Sequence, residues 1–365
     1  AAPEPRDATV VAKLRAAGAI PAAKVHTVEH AFGGWGTNAH TGAPRNPWKP
    51  EEPHTPGGSS NGTGVAVGAG LLPAGLGTDT GGSVRIPAAF CGCVGLKTSL
   101  GLVSRAGVTP LSDSFDSVGP LTDSVARAAE MLDAMQGRDP ADPATLDAPR
   151  IDACAGLEKG AAGLRLGRVS DEALSAMTTE VREGFEAALR LLEEAGARIE
   201  PFAPPRPFLA IQAEASAIIS SDAYAFHSAL ADDPAAPLNE TTRMRMLPGR
   251  DLSARDRVLA QRRRRADTAD VLAAMDRLDA LVLPTAPVVA RPLSEADEHD
   301  YSMSLFTRFA NYHDLCALSL PSGLTPGGLP LSLQIVARRF DDPLALRIGR
   351  AFERARGPFP QSPRE

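Results

Sequence analysis

Aromatic residues make up only 5% of this 365-residue sequence, and lysine occurs at Lys13, Lys24, Lys49, Lys97 and Lys159 alone. Rings are scarce while Ala, Gly and Pro are plentiful, so a core must be built from small aliphatic side chains. The 43% hydrophobic content is enough for that, in one large domain or two ordinary ones. Positive charge is short too: 38 Lys and Arg against 44 Asp and Glu leave a net charge of −6, with no basic surplus to hold nucleic acid. The run Gln261-Arg262-Arg263-Arg264-Arg265 lies between Asp251, Asp256, Asp267 and Asp270 on a helical pattern and reads as a solvated helix face. Cysteine is limited to Cys91, Cys93, Cys154 and Cys316, which make no disulfide framework in a chain this long, so the protein reads as cytoplasmic. Cys91-Gly92-Cys93 has no second Cys or His pair at a useful spacing, and no metal or organic cofactor is implied. No signal peptide is visible. The most apolar stretch, Val65 to Leu76, is interrupted by Gly68, Gly70, Pro73 and Gly75 and is too short to span a membrane.

What is there alternates between helical and strand patterns. Asp7 is placed to cap a first helix with Val10, Val11 and Leu14 on one face, ending near Gly18. Residues 31–62, dense in Gly, Pro and Asn, read as loop. Gly64 to Leu72 predicts a small-residue helix, Ala74 to Asp79 a buried strand, and Arg85 to Cys93 the start of another helix. Asp123 is placed to cap Val125 to Gln136, and residues 137–160, rich in Asp and Pro at their start, mark a lobe edge. Leu164 to Val169, Thr179 to Ala195 and Arg198 to Phe202 make a βαβ-like unit. Leu278 to Leu283 and Leu331 to Val336 read as later strands, the second alternating Leu331, Leu333 and Ile335 with Ser332 and Gln334, and Pro343 opens a last helix. These patterns predict the α/β class, a layered sheet covered by helices on both faces.

The densest signal is TPGGSSNGTGVAVGAGLLPAGLGTDTGGSVRIPAAFCG, Thr55 to Gly92, with Gly-Gly-Ser corners at Ser59 and Ser83. Each corner alone reads as an ordinary turn, because glycine tolerates positive φ and serine caps the helix that follows. Together they suggest more. Each ends a loop or strand and begins a helix, where backbone N–H groups are unpaired and can receive developing negative charge. Thr80-Gly81-Gly82-Ser83 sets consecutive amides beside a hydroxyl, the parts that acyl transfer needs for a nucleophile and an oxyanion hole. A different arrangement is open as well: Gly58-Ser59-Ser60-Asn61-Gly62 matches G-x-S-x-G with Ser60 at its centre, which would take His299 or His313 as base. Against it, no hydrophobic strand precedes Ser60, and His299 sits in the acidic run Glu295 to Asp300.

Residues 55–122 resemble the signature region of the amidase signature family of serine hydrolases. RNPWKP before the first corner, GGSS within it, GTDTGGSVRIPAAFCG at the second and GLKTSLGLVSRAGVTPLSDSFDSVGPLTDSV after it carry the resemblance in order and spacing. DATVVAKLRAAGA, DALVLPTAP and GLPLSLQIVARRFDD extend it more weakly over the rest. The resemblance implies one such domain over residues 1–365, folded as a layered mixed β-sheet between helices. It implies Ser83 as nucleophile, and Ser59, after a cis Gly58–Ser59 bond, as the hydroxyl relaying a proton between Ser83 and a lysine. It implies the amides of Thr80, Gly81, Gly82 and Ser83 as oxyanion hole, with Ser60, Asp79 and Arg85 in support through hydrogen bonds and ion pairing. The implied reaction is hydrolysis of a small-molecule amide through an acyl-Ser83 intermediate, releasing ammonia or an amine, and a homodimer is compatible with the family.

The family's base, a lysine kept neutral by burial, falls before the first residue of the sequence. The expectation is therefore a chain that starts inside its domain, with the base upstream of residue 1. Lys24 and Lys97 match non-catalytic positions, and a helix running on from Arg85 would carry Lys97 away from the corner. Two other readings stand beside this one: a catalytically idle relative serving as a scaffold or partner subunit, and the amide-hydrolysing subunit of an amidotransferase. Asn61 departs from the family's usual glycine. Pocket walls are expected from Phe32 to Gly36, Tyr224 to His227 and Tyr301 to His313. Trp35, Tyr224 and Phe306 either line an aromatic pocket or pack in the core, and Arg308 reads as an exposed helix arginine or as a partner for a substrate carboxylate.

Overall fold

The computed structural model describes residues 6–363. Helix α1 (Thr9–Ala16) precedes a long irregular stretch that reaches α2 (Asn61–Gly68), as the turn-forming composition of residues 31–62 requires. Strand β1 (Ala74–Asp79), α3 (Arg85–Cys91), β2 (Val94–Lys97) and β3 (Ser117–Thr122) follow, with Ser83 between β1 and α3. The chain continues through α4 (Val125–Met135), β4 (Arg165–Val169), α5 (Thr179–Glu194) and β5 (Arg198–Phe202). Three helices, α6 (Phe208–Ala231), α7 (Glu240–Met246) and α8 (Ala254–Ala274), lead to β6 (Ala280–Pro284). The short α9 (Thr307–Tyr312), β7 (Cys316–Leu324), β8 (Pro330–Ala337) and α10 (Asp342–Arg356) complete the described residues.

The strands form one eight-stranded sheet in the order β1-β3-β2-β7-β8-β6-β4-β5. β4 lies parallel to β5 and β6 and the other pairs are antiparallel, so the sheet is mixed. Its register defines two faces, because successive side chains on a strand point opposite ways. Leu318 of β7 pairs with Ile335 of β8, and Ser319 with Gln334. The Leu318 side meets α10, where Gly349 makes room: a Cβ there would lie 2.3 Å from Leu318. The Gln334 side meets α3, with Gln334 Oε1 accepting from Arg85 at 2.6 Å. The alternation in β8 thus separates two buried faces rather than inside from outside, since Gln334 is as buried as the leucines beside it.

Several local expectations need correction. Ser124 caps α4 by accepting from the Arg127 N–H, while Asp123 pairs with the Arg127 side chain at 2.9 Å. Asp7 pairs with Arg15 at 3.6 Å and does not cap α1, whose N-cap is Ala8. α2 starts at Asn61 rather than Gly64. The helix from Arg85 stops at Cys91 because Gly92 turns left-handed (φ 72°), so Lys97 ends strand β2 instead of riding a helix. The arginine run is not wholly solvated either. Arg264 is buried, lies over the Phe115 ring at 4.4 Å, pairs with Asp314, and donates to the Tyr312 and Asn311 carbonyls at the C-terminal end of α9. Among the described residues, no helix is long and apolar enough to cross a membrane, and no group of three or more His, Cys, Asp or Glu is placed to hold a metal ion.

His313, directly after α9, is buried with edge-on contacts to Phe309 and Tyr312. Burial first, then the Arg264 and Arg206 charges, holds its imidazole down to about 3. An unfolded histidine titrates near 6.5, so between the two values the unfolded chain takes a proton that the folded chain refuses. The stabilisation is complete above 6.5 and is lost as the pH falls towards 3. His313→Phe keeps a ring and removes the titration. Thermal melts should show a smaller drop in Tm from pH 7 to pH 5 in that variant; an equal drop in both proteins would refute the assignment.

Candidate active site

The two serine corners are brought together by backbone. Gly57 has φ 73°, the Gly58–Ser59 bond is cis, and Gly58 N–H donates to Gly34 O at 2.7 Å. A Cβ on Gly58 would sit 2.6 Å from the Gly33 carbonyl oxygen, so only glycine fits there. Ser60 N–H donates to Ser83 O at 3.2 Å, which sets the first corner against the second. Ser59 is 1% exposed and its Oγ is buried without a hydrogen-bond partner, while Ser83 is half-buried beside a pocket. No hydrogen bond joins the two hydroxyls. Ser60 Oγ is engaged elsewhere, donating to Thr78 O at 3.4 Å and accepting from Thr78 N–H at 3.3 Å, which ties α2 to β1. Its proposed histidine partners are remote in kind: His299 is exposed, and His313 packs against Phe309 with Thr268 Oγ1 at 3.4 Å. The Ser60-centred arrangement is therefore not assembled. Asn61, the departure from the family's glycine, donates to Gly36 O at 2.6 Å and accepts from Gly62 N–H at the start of α2.

Beneath Ser83 lies a fully buried ion pair. Asp79 accepts from Arg85 Nε at 2.9 Å and Nη2 at 2.8 Å. The remaining guanidinium protons go to Thr307 O, Gln334 Oε1 and Asn311 Oδ1, at 2.8, 2.6 and 2.6 Å. Burial alone would raise the Asp79 carboxyl, but the Arg85 charge and hydrogen bond, with Lys97 and Asn311, outweigh it and bring it to about 2. The same carboxylate accepts from Gly82 N–H at 2.9 Å and Val84 N–H at 3.2 Å. This alters the expected oxyanion hole: the Gly82 amide is already committed to Asp79. The Thr80, Gly81 and Ser83 amides make no hydrogen bond among the described residues.

Ser83, Thr80 and Gly81 line a pocket of about 40 Å³ with Phe32, Leu111, Tyr301 and Arg308. Its walls come from two of the three expected segments; Tyr224 to His227 is not among the lining residues. Trp35 and Phe306 are core residues, Phe306 packing edge-on against Phe208. Arg308 is the clearest correction, because it is buried at 6% exposure instead of lying on an exposed helix face. Its Nη1 donates to Gln212 O at 3.2 Å and to Ser216 Oγ, its Cζ lies 5.4 Å from the centroid of the Tyr301 ring, and its Nε has no partner. No carboxylate pairs with it among the described residues. Burial draws its pKa down, with Arg245 adding to the effect and Tyr301 opposing it, to about 10, so it stays charged at neutral pH. Thr307, whose Oγ1 donates to Gly81 O at 2.7 Å, and Asn311, which donates to Asp79, carry no signal in the sequence. Gln334 carried a visible signal, an amide on an apolar strand.

Residues 1–346 match the protein-family model described as Amidase. The chain is 35% identical over 379 residues to a glutamyl-tRNA(Gln) amidotransferase subunit of Acidobacterium capsulatum, covering 96% of this chain and 78% of that one. It superposes on a glutamyl-tRNA(Gln) amidotransferase subunit of Thermotoga maritima with a TM-score of 0.86 at 34% identity, over 98% of this chain and 79% of that one. A peptide amidase from Stenotrophomonas maltophilia gives a TM-score of 0.82 at 31% identity, over 98% and 78%. The mixed sheet between helices is thus the amidase signature fold that the Thr55 to Gly92 stretch led us to expect.

Removing one member of a buried ion pair strands the other, at a cost of about 3–5 kcal/mol. Arg85→Met should lower stability by about that amount, read as a shift of the urea midpoint. Adding Asp79→Asn should recover part of the loss; a double variant less stable than Arg85→Met would contradict the pairing.

Proposed function

This chain belongs to the amidase family, and from that premise we propose that it hydrolyses a small carboxylate-bearing amide through an acyl-Ser83 intermediate. One observation carries this reading: the Ser83 hydroxyl, the uncommitted amides of Thr80, Gly81 and Ser83, and the carboxylate-free Arg308 guanidinium border the same small pocket. Ser83 Oγ attacks the amide carbon while its proton passes to Ser59 Oγ, which hands its own to a base. The carbonyl oxygen becomes an oxyanion facing the amides, each such donor being worth about 3–4 kcal/mol in the transition state. The C–N bond then breaks, nitrogen takes back the proton and leaves as ammonia or an amine. Water attacks the acyl-Ser83 ester by the same relay and frees the acid.

The relay ends, in this reading, on a lysine outside the described residues. Lys97 Nζ donates to Thr98 O and Leu315 O, and Lys13 Nζ to Gln136 O and Gly137 O. Lys24 and Lys159 are exposed, and no described lysine hydrogen-bonds to either serine. The carboxylate specificity follows from Arg308: Gln212 and Ser216 hold its Nη1, its buried Nε has no partner, and a planar anion would complete its hydrogen bonding. A second reading, the amide-hydrolysing subunit of an amidotransferase, is favoured by the names of two of the relatives above. It requires ammonia release to depend on further subunits.

Fluorophosphonate treatment of the full-length protein should place the adduct on Ser83, and an adduct on any other residue overturns the nucleophile. Ammonia release should be faster from succinamate than from butyramide, which differ in carboxylate against methyl. Arg308→Met should raise KM for succinamate about 10- to 100-fold and leave butyramide little changed. Equal losses on both would remove the carboxylate from the proposal.

A further inference from the structure

The oxyanion corner is built largely from glycine, so something other than its own side chains must aim its amides. Two anchors have been described: Asp79 holds the Gly82 amide and Thr307 holds the Gly81 carbonyl. A third acts on Thr80, which carries the sole side chain between Asp79 and Ser83. Thr80 Oγ1 donates to Asp116 Oδ1 at 2.5 Å. The other oxygen of that carboxylate accepts from Leu111 N–H at 2.8 Å and Ser112 N–H at 2.9 Å. Thr80 and Leu111 both line the pocket beside Ser83.

We propose that Asp116 is a positioning residue for the reaction, its carboxylate joining the oxyanion corner to the opposite pocket wall. The proposal rests on Ser83 being the nucleophile. Asp116 is buried, at 8% exposure, and makes no ion pair among the described residues. A buried carboxylate without a paired cation is costly and is tolerated only when donors converge on it. Here three do, from two separate segments, and only an acceptor at both oxygens can take all three at once. The far side of the loop is fixed as well. Ser112 Oγ and Ser114 N–H donate to Asp222 of α6 at 2.6 and 3.2 Å, and Asp222 pairs with Arg257 of α8 at 2.5 Å. α6 also supplies Gln212 and Ser216, the partners of Arg308. One helix therefore sets the distance between the amides that receive the oxyanion and the guanidinium beside the pocket. Asp116 is the link on the amide side.

The test uses the full-length protein and a fluorophosphonate, whose phosphonyl oxygen occupies the oxyanion position when Ser83 is modified. A misplacement of about 1 Å can cost about 100-fold in rate. Thr80→Val, which keeps the shape and removes the donor, should lower the inactivation rate constant by about 10- to 100-fold with KI changed far less. Thr80→Ser, which restores the hydroxyl, should recover most of the rate. Asp116→Ala, which removes both acceptors, should be slowed, and Thr80→Val/Asp116→Ala should be no slower than the slower single variant, since both break the same contact. Melting temperatures of all four variants separate aim from folding. The proposal is overturned if Thr80→Val reacts within twofold of the parent, if Thr80→Ser is as slow as Thr80→Val, if the two losses multiply, or if rates simply follow Tm. A parent protein labelled away from Ser83 defeats the nucleophile and this proposal together. A correctly labelled parent with an unaffected Thr80→Val defeats this proposal alone.

Discussion

The Asp79–Arg85 pair is the constraint on which the candidate site depends. Taking both charges out of water is unfavourable unless every hydrogen-bonding position is filled. The structure meets that condition: all five guanidinium protons are placed, on Asp79, Thr307, Asn311 and Gln334. Those partners belong to the end of β1, to α9 and to β8, elements far apart in sequence. Satisfying one arginine therefore locks three elements around the turn that carries Ser83. Asp79 completes the lock by accepting the Gly82 and Val84 amides, which fixes the path of a turn whose glycines would otherwise wander.

The pocket side is organised by α9 in the same economical way. Thr307, Arg308 and Asn311 come from a six-residue helix, and they reach the Gly81 carbonyl, the pocket and Asp79 respectively. So short a helix has little stability of its own and must be held by its surroundings. Arg264 does this at the C-terminal end, closing the carbonyls of Asn311 and Tyr312 from α8. A residue that reads as part of a solvated run is thereby required by the site. Gly82 shows the tolerance involved: at φ 129°, any Cβ would lie 2.4 Å from Thr307 Oγ1.

Legibility in the sequence follows how local each feature is. The βαβ unit of β4, α5 and β5 could be read within a residue or two, because its periodicity and its Gly196 stop lie inside one continuous segment. β3, Ser-Val-Gly-Pro-Leu-Thr, and β7, with Pro321 and an irregular register, are not legible as strands in the sequence because Gly and Pro usually argue against strands. They are strands because neighbours on both sides complete the ladder. The glycine corners likewise announced themselves, and the cis Gly58–Ser59 bond expected from the family resemblance is present. What stayed hidden was every contact made across the fold. Arg308 reads as a surface arginine until Gln212, Ser216 and Tyr301 close around it, and Asp116 carries no sequence signal of its contact with Thr80. The commitment of the Gly82 amide to Asp79 is hidden from the sequence for the same reason.

The charges around the corner carry the last step of the reasoning. Two carboxylates, Asp79 and Asp116, lie near the amides proposed to receive an oxyanion, and unscreened negative charge there would oppose the proposed reaction. Asp79 is neutralised by Arg85, whereas Asp116 has no paired cation among the described residues: burial raises its carboxyl and three converging donors only partly offset that. Arg308 is then the cation left facing the pocket with no carboxylate partner, and burial already makes its charge costly, as its lowered pKa shows. A neutral substrate leaves that cost standing, whereas one bearing a carboxylate relieves it. Under the proposed function, selection in this pocket is electrostatic first. On that proposal the pocket would rank substrates by whether they bring the missing counter-charge, and only then by how well the remainder fits between Phe32, Leu111 and Tyr301.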